Sequence, residues 1–135
     1  MSEVKPVLWC GSSKKDLMEM PPEVVTDFGY GLYQAQIGAY PDLAKTLSGF
    51  GGASVIELRM DHKKGTFRAI YTVKFKSAIV VLHAFQKKSK SGIKTPKKEI
   101  ELIHSRLKLA EQIYKNWRKR GGEIHEEKRK KIRSN

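Results

Sequence analysis

Between Val55 and Phe85 the apolar positions recur every second residue, which is the period of a strand. Ile56, Leu58 and Met60 alternate with Val55, Glu57 and Arg59. The stretch DHKKG, Asp61 to Gly65, predicts a hairpin turn, because aspartate and glycine suit the ends of a tight reversal. Phe67, Ala69, Tyr71, Val73 and Phe75 then line one face of the next strand. Arg68, Ile70, Thr72 and Lys74 line the other. Lys76-Ser77 is a tight connection, and AIVVLHAF, Ala78 to Phe85, is apolar on both faces. A strand of that composition is expected to be the most central one.

On either side of this meander the period changes. Pro6 to Cys10 reads as a first strand, broken at Gly11. Ser12 or Ser13 can cap a short helix over KKDLMEM. Pro21-Pro22 ends that helix and opens another, since proline is tolerated at the first helical position. Val25, Phe28, Leu32 and Ala35 give the second helix one apolar face, and Gly38 is a stop. Residues 39–53 hold four glycines or prolines and read as a loop. Thr95-Pro96 opens the last helix, with threonine as cap and proline in the first turn. Ile100, Ile103, Leu107, Ala110, Tyr114 and Trp117 follow the three-four spacing of an amphipathic helix. The chain of 135 residues is expected to form one domain over residues 1–117. Residues 118–135 carry eight basic and three acidic residues and read as a basic, flexible tail or frayed helix.

Charge narrows the function classes. Lysine and arginine number 27 against 14 acidic residues, a formal net charge of +13. Phosphate backbones are the commonest partner of such a balance. No run approaches the roughly 20 apolar residues of a membrane span, and Met1 to Lys5 lead into only a short apolar patch, unlike a secretory signal. A cytoplasmic location with no membrane partner is the expectation. The single cysteine, Cys10, permits no internal disulfide and reads as a small core residue.

The candidate chemistry lies in the meander and the loop after it. Arg59 and Arg68 stand inside strand alternation, where charge is unusual unless the face meets an anion. Lys87, Lys88, Lys90, Lys94, Lys97 and Lys98 follow with no acidic residue before Glu99. The four histidines (62, 83, 104 and 125) lack metal-ligand spacing, so neither a metal nor a cofactor is expected. Metal-free RNA cleavage by the 2′-hydroxyl needs a proton acceptor, fixed cations for the charged phosphorus and a proton donor for the leaving oxygen. Arginine supplies fixed charge, and a lysine among like charges is easier to deprotonate. Each residue also has a plainer role. Arg59 can pair with Glu57 or Asp61, His83 and Tyr71 can be core residues, and lysine runs are usually solvated. The solvated reading is the commoner one for Lys90, Lys97 and Lys98. Arg68 has no acidic neighbour close in sequence and reads as an exposed sheet charge, removable without loss of the fold.

The stretches ELRMDHKKGTFRAIYTVKF and IVVLHAFQKKSKSGIKTPKKEIELI, taken together, resemble the phage-related, HigB-like branch of the RelE/ParE toxin superfamily. The resemblance runs from about Val7 to Trp117. It implies an α+β fold with a small antiparallel curved sheet against an N-terminal helical hairpin and a C-terminal helix. It also implies a type II toxin that cuts mRNA on the ribosome without a metal. A cognate antitoxin, expected to be of the helix-turn-helix type, would cover or distort the basic surface. By position, Arg59 and Arg68 match the family's sheet arginines, with Arg68 the implied stabiliser of the charged phosphorus. Lys87 and Lys88 match its basic pair after the strand, implied to handle protons or hold the flanking phosphates. His83 is the nearest stand-in for a C-terminal tyrosine or histidine of related nucleases. Lys63, Lys64, Lys90 and Lys94 are the implied RNA contacts. Two other classes fit the same residues: a ParE-like gyrase poison, and a noncatalytic nucleic-acid-binding phage accessory protein.

Overall fold

The computed structural model describes residues 4–87 and 95–122. Strand β1 (Val7–Trp9) leads into helices α1 (Ser13–Met18) and α2 (Pro22–Gln36). Strands β2 (Ala44–Thr46), β3 (Val55–His62), β4 (Gly65–Thr72) and β5 (Ile79–Lys87) follow, then helix α3 (Lys97–Trp117). The sheet order is β1-β5-β4-β3-β2. Neighbours are antiparallel except β1, which runs parallel to β5. The parallel pair follows from chain path: β1 and β5 are separated by the whole α1–α2 and β2–β4 excursion, so no hairpin constrains their direction.

The expected α+β architecture is present, with three differences, the first being the parallel β1–β5 pair, which makes the sheet mixed where an antiparallel one was implied. The loop over residues 39–53 contains β2, whose Ala44, Lys45 and Thr46 pair with Leu58, Glu57 and Ile56. The central strand is β4 and not β5; every residue of β4 is buried. Apolar composition could not separate the two, because β5 is also flanked on both sides. On α2, Val24 joins the expected stripe of Val25, Phe28, Leu32 and Ala35: Val24 is fully buried, and Val25 is partly buried against the same core.

The sheet divides two cores. On one side Leu17, Val24, Phe28 and Leu32 pack on Leu58, Ala69, Tyr71 and Val81. On the other, Ile103 and Ala110 of α3 pack on Val55, Ile70, Val80 and Leu82. Cys10 is fully buried in this second core, as expected of a small apolar residue. Burial pushes its thiol up to about 11.

A register shift falls between Ile70 and Tyr71 of β4, opposite Leu82 of β5. It breaks simple alternation on β5. Val81 stays in the α2-side core, while Leu82 and Phe85 join the α3-side core. His83 thereby faces α3. This is what a bulge does: one extra residue changes which face the following side chains occupy.

Close approach of α2 to β3 depends on glycine. A Cβ on Gly31 would lie 3.0 Å from Cδ1 of Leu58, whereas one on Gly29 would meet nothing within 4 Å. Gly31→Ala is expected to cost about 1–3 kcal/mol by overpacking. Gly29→Ala is expected to stabilise by about 0.5–1 kcal/mol through helix propensity. Urea denaturation of the two variants checks the opposite signs. The Cys10 thiol should react with an aromatic disulfide reagent only on unfolding.

Candidate nucleic-acid interface

Residues opposite one another in an antiparallel ladder share a face, so the registers define rows across β3, β4 and β5. On the α3 side the row nearest the β3–β4 turn is Asp61, Thr66, Lys87. The next is Arg59, Arg68, Phe85, and the third is Glu57, Ile70, His83. The turn itself holds Lys63 and Lys64, both exposed, between the paired His62 and Gly65. Gly65 has φ +133°, a conformation that other residues rarely adopt.

Arg59 and Arg68 face each other directly, an arrangement that repels unless each charge has its own partner. They diverge. Arg59 reaches toward the turn, to Asp61 Oδ1 at 3.3 Å, and its side chain is 29% exposed. Arg68 reaches the other way, to Glu57 Oε2 at 3.2 Å, and is fully buried. Its NH1 also donates to Thr95 Oγ1 at 2.8 Å, and that hydroxyl donates to Glu57 Oε2 at 2.8 Å. Arg68 is therefore no exposed sheet charge, and the expectation that its removal would spare the fold is overturned. The partner was hidden because Glu57 lies on the adjacent strand, diagonal to Arg68. Thr95 does not cap α3 with its side chain, since its hydroxyl is taken up here.

A second network lies one row further on. His83 is buried and its Nδ1 accepts from Arg106 NH1 at 3.2 Å. The other nitrogen, Nε2, then carries the proton and donates to Glu99. The ring stacks on Phe85, with centroids 4.7 Å apart. Arg106 also donates to Leu82 O at 3.0 Å. His83 is thus a satisfied core residue between β5 and α3, with both nitrogens engaged.

Around the turn, Arg59, Asp61, His62, Lys63, Gly65 and Thr66 line a pocket of about 350 Å³. His62 was not among the expected site residues. Its Nδ1 accepts the Lys64 N–H at 3.1 Å, so Nε2 carries the proton and donates to Glu23 at the start of α2. Hydrogen bonds from Thr66 and then Arg59 hold the Asp61 carboxyl below its ordinary value, and the His62 bond does the same for Glu23. Lys87 stands at the end of β5 beside Thr66, half-buried. Lys88, Lys90 and Lys94 lie outside the described residues. Among the described residues, no three His, Cys, Asp or Glu side chains are grouped to hold a metal ion, and no helix is long and apolar enough to cross a membrane.

Arg68→Ala would leave Glu57 buried and unpaired, and is expected to cost about 3–5 kcal/mol. Arg59→Ala should cost far less. Chemical denaturation of both variants checks the contrast. Asp61 and Glu23 have depressed folded-state values, so their contribution is full above the ordinary carboxylate range, about 4. It is lost as pH falls through the folded values. The protection factor of the Lys64 amide, taken relative to its intrinsic exchange rate, should therefore fall on acidification before the protein unfolds globally.

No curated protein matches the chain significantly. Among solved structures it is similar to the toxin–antitoxin complex RelBE2 from Mycobacterium tuberculosis, at 17% identity and a TM-score of 0.45. That likeness covers 66% of this chain and 98% of the other. The family model described as "Phage derived protein Gp49-like" matches residues 15–108. That span runs from α1, through the whole β3–β4–β5 face and both buried networks, to beyond Arg106 on α3. The chain therefore belongs to the Phage derived protein Gp49-like family, a RelE-like toxin family.

Proposed function

We propose that this protein is the toxin of a type II toxin–antitoxin system, and that it acts as a ribosome-dependent, metal-independent mRNA endonuclease that inhibits translation in the cytoplasm. The observation that carries this reading is the meeting of Arg59, Lys63, Lys64 and Lys87 at one end of a rigid sheet, beside a polar pocket. Cations fixed on strands are preorganised for a phosphate that gains charge as it reacts. Membership of a RelE-like family supports the same direction.

In this reading the 2′-hydroxyl of the substrate attacks the adjacent phosphorus, and a 2′,3′-cyclic phosphate forms as the 5′-oxygen leaves. One proton is removed from the 2′-oxygen and one is delivered to the leaving oxygen, so no further reactant is consumed. Arg59, the sheet arginine that reaches solvent, neutralises the charge on the pentavalent phosphorus. Lys87 or Lys88 handles the proton or the flanking phosphate. Lys63 and Lys64, with Lys90 and Lys94, hold the strand. Arg68 and His83 act as positioning residues, because both are buried and bonded within the protein. A cognate antitoxin of the helix-turn-helix type restrains the activity by covering or distorting this end of the sheet. Gyrase poisoning is the second reading; it would have no use for this cationic cluster.

The test is cleavage of mRNA on programmed ribosomes with a chelator present, mapped by primer extension. Wild type should cut. Arg59→Gln should lower the rate by about 10²-fold or more, the usual cost of one transition-state cation or donor. Lys98→Gln should change little. Growth arrest without cleavage would replace this reading with gyrase poisoning. Cleavage that depends on Lys98 as strongly as on Arg59 would move the site elsewhere.

A further inference from the structure

The positive charge of this chain is not spread evenly. Residues 16–44 contain five acidic residues and no lysine, arginine or histidine. The excess is correspondingly concentrated elsewhere, and the β3–β4 turn takes only part of it. A second concentration lies at the opposite end of the sheet. Lys74 and Lys76, on the connection between β4 and β5, are exposed there. Lys115, Arg118, Lys119 and Arg120 arrive beside them at the C-terminal end of α3, where a π-helical turn (Arg118–Gly122) extends it.

Two segments remote in sequence are held together here by specific bonds. The Ser77 N–H donates to Tyr114 Oη at 3.1 Å, and Arg118 NH1 donates to the same oxygen at 3.1 Å. Phe75 stacks on Tyr114 with centroids 4.6 Å apart. Lys74 Nζ pairs with Glu111 at 2.6 Å. Basic residues at a helix C-terminus are favoured by the helix dipole alone, but that does not account for Lys74 and Lys76, which belong to another element.

We infer that Lys74, Lys76, Lys115, Arg118, Lys119 and Arg120 form a second phosphate-binding surface that takes the backbone of helical RNA. Lys76, Lys115, Lys119 and Arg120 are exposed, while Arg118 is half-buried against Tyr114 and Lys74 is held by Glu111. The group sits on a stiff support, which suits a rigid array of phosphates. Of the aromatic side chains nearby, Tyr114 packs on both Phe75 and Trp117, and neither Tyr114 nor Trp117 is a fully exposed ring offering a platform for unpaired bases. Single strands are held mainly by such platforms, whereas helical RNA is read through phosphates and shape. An anionic membrane fits less well. None of the exposed large apolar side chains of the described residues falls within residues 73–78 or 110–122, so nothing there would insert. The 21 residues of α3 separate this surface from the β3–β4 end by about 30 Å. One copy would therefore grip structured RNA at a distance from the strand it cuts. The choice of RNA over DNA rests on the proposed nuclease reading; the surface itself does not.

The test is fluorescence anisotropy of the full chain with a labelled RNA duplex, over a range of salt. Three proteins are compared: wild type, a triple variant at the patch (Lys76→Gln, Lys115→Gln, Lys119→Gln) and a triple variant elsewhere (Lys14→Gln, Lys15→Gln, Lys45→Gln). The patch variant should bind at least about tenfold more weakly. Its salt slope should be shallower by about two to three, since each phosphate left without its cation removes roughly 0.9 from the slope. The other variant should stay close to wild type. Equal losses of affinity in the two variants would overturn the proposal, because net charge would then explain them. Stronger binding of wild type to single strands, or to vesicles containing anionic lipid, would overturn it too. An Arg59→Gln protein should keep its duplex affinity while losing cleavage, so failure of the nuclease reading and failure of this one are told apart.

Discussion

The buried ion pair between Arg68 and Glu57 is the constraint on which the functional end of this protein depends. A charge withdrawn from water is tolerated only when it is paired and hydrogen-bonded. Here the requirement joins three elements: Glu57 from β3, Arg68 from β4 and Thr95 just ahead of α3. The pair therefore fixes more than its own strands. It ties the residue just ahead of the last helix to the sheet. It also separates the two sheet arginines by role. Arg68 is committed inward, so Arg59, on the opposite strand, is the one that meets solvent.

Two further polar links set the frame around it. Glu99, His83 and Arg106 join α3 to β5, and Arg106 reaches on to Ser12 Oγ at 3.4 Å. On the other side of the sheet His62 joins the hairpin tip to Glu23 on α2. The tip lysines are thus carried on a turn anchored to α2 through His62 and to β5 through Gln86, whose Nε2 donates to Lys64 O, which keeps a cationic surface in place despite its self-repulsion. Such anchoring matters for phosphate chemistry, because charge that must reorganise during the reaction stabilises it less.

Much of this was legible in the chain. The order of strand, helical hairpin, meander and helix follows from period and from Gly and Pro placement, and the stripe from Ile100 to Trp117 lies on α3 as read. Of the residues on which the family resemblance rested, Glu57, Arg59, Arg68, His83 and Phe85 share the α3-side face of the sheet. Even the Arg68 partner was within reach: counting outward from a two-residue turn at Lys63-Lys64 places Glu57 diagonal to Arg68. Reading only along the chain concealed it, because sheet neighbours are remote in sequence.

The sequence by itself determined the local periods, the turn at DHKKG, the excess of positive charge and its absence from residues 16–44, since each depends only on nearby residues. Tertiary structure decided which strand is central, which face His83 takes and which arginine is buried. Those outcomes depend on pairing order, on a bulge that shifts alternation by one residue, and on a carboxylate brought from another strand. Each joins distant positions, and no local pattern of residues encodes it alone.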